Sequence, residues 1–215
     1  MEFETEEQKV EALKKWWQDN GQMVIGVVVL SIALVAGWRF YENYKIMQAE
    51  QASNLYEQVL QAAQTRDDMS AQQTRVNELM AEYANTPYAA LSALVLARQQ
   101  AQTGDTAKAI QQLEWVMKNS SAAELQNIAR LRLARLMMAT EQYDAAMALV
   151  NTGYPESFTA LYEELRGDLH VMRGENDLAR AAYDKAIQAS GDSVSDFLKI
   201  KRDDLGQVVT GETSS

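Results

Sequence analysis

The chain has 215 residues, with 20 basic and 30 acidic side chains, one histidine, two prolines, no cysteine and a net charge of −10. Without cysteine there is no disulfide framework, thiolate metal site or cysteine catalysis; a lone histidine argues against a histidine metal cluster, and the acidic balance argues against nucleic acid, whose phosphates need a basic face. A hydrophobic share of 47% supplies a core for one domain plus an appendage, and so few prolines favour helices over many short strands and tight turns.

In chain order, the first element is a long apolar run. No charge lies between Asp19 and Arg39, and Met23 to Trp38 read MVIGVVVLSIALVAGW, with Ser31 the only polar side chain. As a helix rising about 1.5 Å per residue, positions 20–38 reach about 28 Å, close to the hydrocarbon thickness of a bilayer. Trp16 and Trp17 precede the run, and Trp38, Phe40, Tyr41 and Tyr44 close it. Aromatic rings at both edges suit a spanning helix because they settle at headgroup level. A core helix rarely stays apolar on every face over this length. A cleaved secretory leader fits poorly, since its first region is short and positive, whereas this one carries Glu2, Glu4, Glu6, Glu7, Glu11 and Asp19. The expectation is an uncleaved signal-anchor at 20–38 behind a cytoplasmic tail at 1–19. Lys9, Lys14 and Lys15 before the span outnumber Arg39 and Lys45 after it, which places the C-terminal part outside the cytoplasm. Within the span, Gly26, Leu30, Ala33 and Gly37 recur at spacings of four, three and four. Such a face of small residues admits another membrane helix at close range.

After the span, Ala49, Ala52, Tyr56, Val59 and Ala63 form one helical stripe. It either covers the domain that follows or makes a coiled coil of two heptads. Asp67–Asp68 reads as a helix entrance, Met69 to Tyr83 as a helix, and Asn85-Thr86-Pro87 as its end, because proline disfavours helix before it and suits a new first turn.

Three stretches then read alike: Leu91 to Val116, Ile128 to Val150, and Leu161 to Ile187. Each is an apolar-striped helix, a short turn, and a helix opening with a small residue. Ala109, Ala146 and Ala179 correspond, 37 and 33 residues apart. A helix–turn–helix unit near 34 residues resembles the tetratricopeptide repeat. The third copy matches best: Gly167 where the first helix needs a small residue, Gly174-Glu175 as the turn, then Ala179, Tyr183 and Ala186. The longer first spacing places about three extra residues near Asn119 to Ala122. All three copies lack the consensus tryptophan, and the middle one has Glu141 where a turn glycine is usual. A last helix around Val194 to Leu205 would cap the array, leaving Gly206 to Ser215 as a frayed tail. The fold expected is therefore all-α: a transmembrane helix, then a tetratricopeptide-like solenoid of stacked helix pairs over 39–205. Its first helices would present Leu91, Leu94, Arg98, Leu131, Arg132, Arg135, Met138, Glu164, Asp168 and Val171 to a concave groove. There apolar contact and arginine's grip on carboxylates and carbonyls suit an extended or partly folded chain.

Span and repeats in this order resemble the YfgM family of bacterial inner-membrane proteins. The resemblance is strongest at Asp19-Asn20-Gly21, at Gly37-Trp38-Arg39-Phe40, through Tyr88 to Ala97, and at Leu131-Arg132-Leu133-Ala134-Arg135 and Leu165-Arg166-Gly167-Asp168. It implies a cytoplasmic tail, a periplasmic repeat domain, association with the SecYEG translocon and the membrane-anchored chaperone PpiD, and help for polypeptides emerging into the periplasm. It also links the tail to envelope-stress signalling. The competing reading is a membrane-tethered repeat scaffold for assembly of another envelope complex or for stress-regulator control.

Catalysis finds little footing. A nucleophile–base pair normally leans on histidine or cysteine, and His170 falls where a repeat helix packs a bulky side chain. The pairs Asp67–Asp68 and Asp203–Asp204 are sequence neighbours, which do not face each other on a helix. No phosphate-cradling glycine loop occurs. No cofactor, metal site or enzymatic activity is expected.

Overall fold

The computed structural model describes residues 6–65 and 69–206. The Asp67–Asp68 pair, the tail 207–215 and the acidic residues Glu2 and Glu4 lie outside that range. The chain divides into two compact units, 1–50 and 51–215, where the sequence reading set the domain boundary at 38/39.

The first unit is the N-terminal part of helix α1, which runs unbroken from Glu6 to Thr65. Among the described residues this is the one helix long and apolar enough to cross a membrane. Its apolar side chains are bare, Leu34 at 66% and Trp38 at 70% exposure, which excludes the alternative of a buried core helix. Ser31 donates its hydroxyl to the Val27 carbonyl at 2.8 Å, so the run's one polar side chain is satisfied within the helix, as an apolar surrounding demands.

The second unit holds the last four turns of α1 and eight further helices among the described residues: α2 (Met69–Glu82), α3 (Pro87–Gln102), α4 (Thr106–Asn119), α5 (Ala123–Ala139), α6 (Tyr143–Val150), α7 (Thr159–Met172), α8 (Asn176–Ser190) and α9 (Asp196–Asp203). The expected stripe on α1 is its inner face: Ala52 and Val59 are fully buried beside Val76 and Leu79 of α2 and Ala93 and Leu96 of α3, and Tyr56 meets Tyr88 at 5.8 Å between ring centroids. The stripe therefore covers the domain; no coiled-coil partner is needed. α3 starts on Pro87, with extended Thr86 as its cap, as the fixed φ of proline favours.

From α3 onward each helix packs on the next, and α3 also touches α5, which touches α7. Pairing of neighbours plus contact between alternate helices makes a solenoid. Each pair turns in the same way. The N–H groups of Asp105, Gln142 and Glu175 donate to the carbonyls of Gln100, Met137 and His170 at 2.8, 2.8 and 2.9 Å, and those of Gly104, Glu141 and Gly174 donate three residues back. This is the glycine-type C-cap with its pair of nested bonds. It requires positive φ, which is +83° at Gly104, +74° at Gly174 and +61° at Glu141. Glu141 thus adopts the left-handed conformation that its Cβ disfavours. Glu141→Gly is expected to raise stability by about 1 kcal/mol, read as a higher thermal midpoint of the intact protein; a lower midpoint would show that the glutamate side chain contributes more than its backbone strain costs.

The extra residues of the first repeat interval are not in the linker. α4 has 14 residues where α6 has 8, whereas α5 and the continuous helical segment 156–172 are equally long; the insertion therefore lengthens the second helix of the first pair up to Asn119, where its backbone keeps its hydrogen bonds. Ser195 caps α9 by accepting from the Leu198 N–H at 3.2 Å, and Leu198 packs with Tyr183 and Ala186.

Candidate functional site

Counting back from the three turn residues, the sixth preceding position is Arg98, Arg135 and Asp168, and the tenth is Leu94, Leu131 and Glu164. The tenth position faces the following helix pair. Leu94 is accordingly only 4% exposed and Leu131 only 2%, and Leu131 packs among Ala134, Val150 and Leu165. Leu131 is therefore a core residue, and Leu94 offers little more than its backbone to the surface. Met138 and Val171 are half-buried against the second and third apolar clusters.

In the last pair the same positions meet α9. Lys201 Nζ lies 2.8 Å from Glu164 Oε1 and 2.9 Å from Asp168 Oδ1, and the Tyr183 hydroxyl donates to Asp168 at 2.7 Å. Burial opposes the charge on Lys201, but the two carboxylates outweigh it and raise its pKa. Burial, then the Asp168 carboxylate, pushes the Tyr183 phenol far above its ordinary range and keeps it neutral. Glu164 and Asp168 are thus not open groove residues; α9 occupies the place a fourth pair would take, and a lysine neutralises what that pair would have met.

Of the expected groove, what stays open lies between α3 and α5. One cleft, of about 530 Å³, is lined by Tyr56 and Leu60 of α1, Leu91, Val95 and Arg98 of α3, and Ile128 and Arg132 of α5, among others. A second, of about 280 Å³, is lined by Arg98, Arg132 and Arg135 with Ala97 and Leu136. Arg98 and Arg132 belong to both. Arg132 donates to the Leu94 carbonyl at 3.3 Å. Burial lowers its pKa, and the charges of Arg98 and Arg135 lower it further. The structure so brings together Leu91, Arg98, Arg132 and Arg135 and separates them from Glu164, Asp168 and Val171. Tyr56, Leu60 and Ile128 were not foreseen as cleft residues. Tyr56 was legible as part of the α1 stripe, but nothing in repeat spacing says that α1 walls the first pair.

The packing residues fall at matched points. Ala109, Ala146 and Ala179 are fully buried, each with its N–H bonded to the carbonyl four residues back, at 3.1, 3.0 and 3.0 Å. Tyr183 is 2% exposed and Ala186 is fully buried. A Cβ on Gly167 would overlap Cε1 and Cδ1 of Tyr183. His170 is half-buried beside its turn, Nδ1 2.5 Å from Glu175 Oε2. Among the described residues, no three histidine or carboxylate side chains are grouped to hold a metal ion. On the span, Leu30 is 60% exposed, and a Cβ on Gly26 or Gly37 would meet nothing within 4 Å, so the face with Ala33 is uncovered.

The family described as "Tetratricopeptide repeat-like domain" matches residues 14–207. Among curated proteins, the chain is similar to the "Ancillary SecYEG translocon subunit" of Haemophilus influenzae, 28% identical over 200 residues that cover 93% of this chain and 97% of the relative. The Escherichia coli protein of the same name is 28% identical over 204 residues, covering 94% and 98%. That of Neisseria gonorrhoeae is 26% identical over 204 residues, covering 93% and 97%. These relatives bear out the resemblance drawn from the span and repeat motifs. No solved structure matches the chain significantly.

Proposed function

The chain belongs to the tetratricopeptide repeat-like family, and from that premise we propose that it is a non-catalytic ancillary subunit of the SecYEG protein-export translocon in the bacterial inner membrane. The observation that carries this reading is the joining of a bare apolar helix to a helix-pair array in one chain that matches relatives of that name over nearly their whole length. Helix pairs bind polypeptide along extended surfaces without cofactors, and a membrane tether raises the local concentration of the array near an exit site, so weak and fast contacts suffice. In this reading the lysines before the span hold the tail in the cytoplasm, the repeats stand in the periplasm, and the protein works beside the membrane-anchored chaperone PpiD on emerging polypeptides. The uncovered face at Gly26, Leu30, Ala33 and Gly37 is the contact for a neighbouring membrane helix.

The test is recovery of partners from native membranes with the full-length protein. Replacing Gly26, Ala33 and Gly37 together by Leu keeps the span apolar but removes the close approach. We expect unchanged membrane insertion, protease-accessible repeats in spheroplasts, and recovery of SecY and PpiD reduced about tenfold, since loss of about 1.4 kcal/mol of helix contact has that effect. Undiminished recovery of both would show a lipid-facing surface, and failure of the unaltered protein to recover SecY would overturn the translocon role.

A further inference from the structure

We infer that Arg98, Arg132 and Arg135 form a site for an acidic polypeptide segment, with its carboxylates on the guanidinium groups and its apolar side chains in the adjoining cleft. The inference rests on the translocon reading and specifies which polypeptides the repeats would hold.

The argument begins with charge. The chain carries −10, so arginines have carboxylates in supply, and elsewhere in the repeats most of them use them, Arg130 being held instead by Asn127, the Gly153 carbonyl and Tyr162. Arg166 pairs with Glu163, Arg173 with Asp144, Arg180 with Asp177 at 3.1 Å, and Arg202 with Asp184 at 2.8 Å. Arg98, Arg132 and Arg135 have no carboxylate partner among the described residues; they line one pocket and face one another. Like charges gathered on a partly desolvated surface repel, and the depressed basicity of Arg132 reports that repulsion together with its burial. Any anion placed among them relieves it. A guanidinium is planar, always charged and forked, and so matches a carboxylate in two parallel hydrogen bonds.

The second half of the site is the apolar lining of the pocket the arginines share, Ala97, Ala101, Leu113, Leu136 and Ala139. Arg98 and Arg132 also border the larger cleft walled by Tyr56, Leu60, Leu91 and Ile128. A cationic patch over an apolar trough fits a segment that alternates carboxylate and apolar side chains. A free inorganic anion would leave the trough empty.

The test uses full-length protein in neutral detergent and a fluorescently labelled peptide of alternating Leu and Asp, with a counterpart carrying Asn for Asp. The acidic peptide is expected to bind at least tenfold more tightly, since charge-assisted pairs are about twice as strong as neutral ones, and the advantage should shrink with added salt. Arg98→Gln/Arg132→Gln/Arg135→Gln should abolish the preference while circular dichroism stays helical. Should that variant misfold, Arg98→Gln/Arg135→Gln spares the Arg132–Leu94 bond and should still lose most of it. Equal, arginine-independent binding of both peptides would overturn the acidic site and leave the groove as a general apolar binder. Binding of neither, with SecY still recovered from membranes, would overturn the site alone; binding of neither with SecY lost would overturn the translocon reading as well. Arginine-dependent binding to phosphatidylglycerol vesicles with no peptide binding would assign the cluster to lipid and refute the inference.

Discussion

Gly167→Ala should destabilise the protein by about 2 kcal/mol, a drop of about 4–8 °C in the thermal midpoint for a chain of this size. The direction runs against local propensity, because alanine in a helix interior is favoured over glycine by about 1 kcal/mol. Packing decides the sign. The added Cβ would overlap two ring carbons of Tyr183 and lie 3.0 Å from a third. That ring cannot step aside: it is 2% exposed, and its hydroxyl is anchored on Asp168. The α7–α8 pair must separate or Tyr183 must leave its place, and overpacking of this kind costs about 1–3 kcal/mol or more before the propensity gain is deducted. A double-mutant cycle checks the mechanism. With Tyr183→Ala in place the obstacle is gone, so Gly167→Ala should become neutral or stabilising by up to about 1 kcal/mol. A single variant at least as stable as the unaltered protein would show that the two helices do not approach through this glycine.

Tyr162→Ala should cost more, about 3–5 kcal/mol. Tyr162 is fully buried, stacks on Tyr154 with centroids 4.2 Å apart, and donates its hydroxyl to Asn127 Oδ1 at 2.8 Å. Arg130 joins the same cluster by donating to the Gly153 carbonyl at 3.1 Å. One side chain thereby ties α5, the loop after α6 and α7 together, and truncation leaves both a cavity and a buried amide oxygen that keeps only its long bond from Arg130, at 3.5 Å. Tyr162→Phe separates the two contributions. It keeps the ring and should cost about 1–2 kcal/mol for the lost bond to Asn127, whose Oδ1 retains only the weaker donor Arg130. Urea unfolding of both variants reads the difference. If alanine and phenylalanine cost the same, the ring contributes nothing beyond its hydroxyl and the packing argument fails.

These two predictions differ in how much of them the sequence contains. Gly167, Tyr183, Ala179 and Ala186 were legible because a repeated helix pair brings small and large residues to the same contact at fixed spacing, and each takes the place that spacing assigns. The Tyr162 cluster has no such pattern. It joins Asn127, Tyr154 and Tyr162 from three separate segments, and side-chain hydrogen bonds over such separations leave no trace in periodicity. The turn at Glu141 stands between these cases: the missing glycine was visible, but only the backbone shows that the left-handed conformation persists without it.

What the sequence determined by itself is what short-range physics enforces. Nineteen uncharged positions specify a span, 3.6-residue stripes specify helices, Pro87 specifies a start, and recurring alanines specify pairs that stack. What the tertiary structure decided is which faces of those helices remain open. Leu131 and Glu164 hold equivalent places in their repeats, yet one is buried by the next pair and the other is neutralised by Lys201, because the array ends in α9. Arg98, Arg132 and Arg135 stay clear of carboxylates because the helices carrying them pack side by side in the middle of the array. Charge balance along a chain is a sum over its residues. Charge balance at a surface depends on which of them the fold makes neighbours, and that is set by packing between segments far apart in sequence.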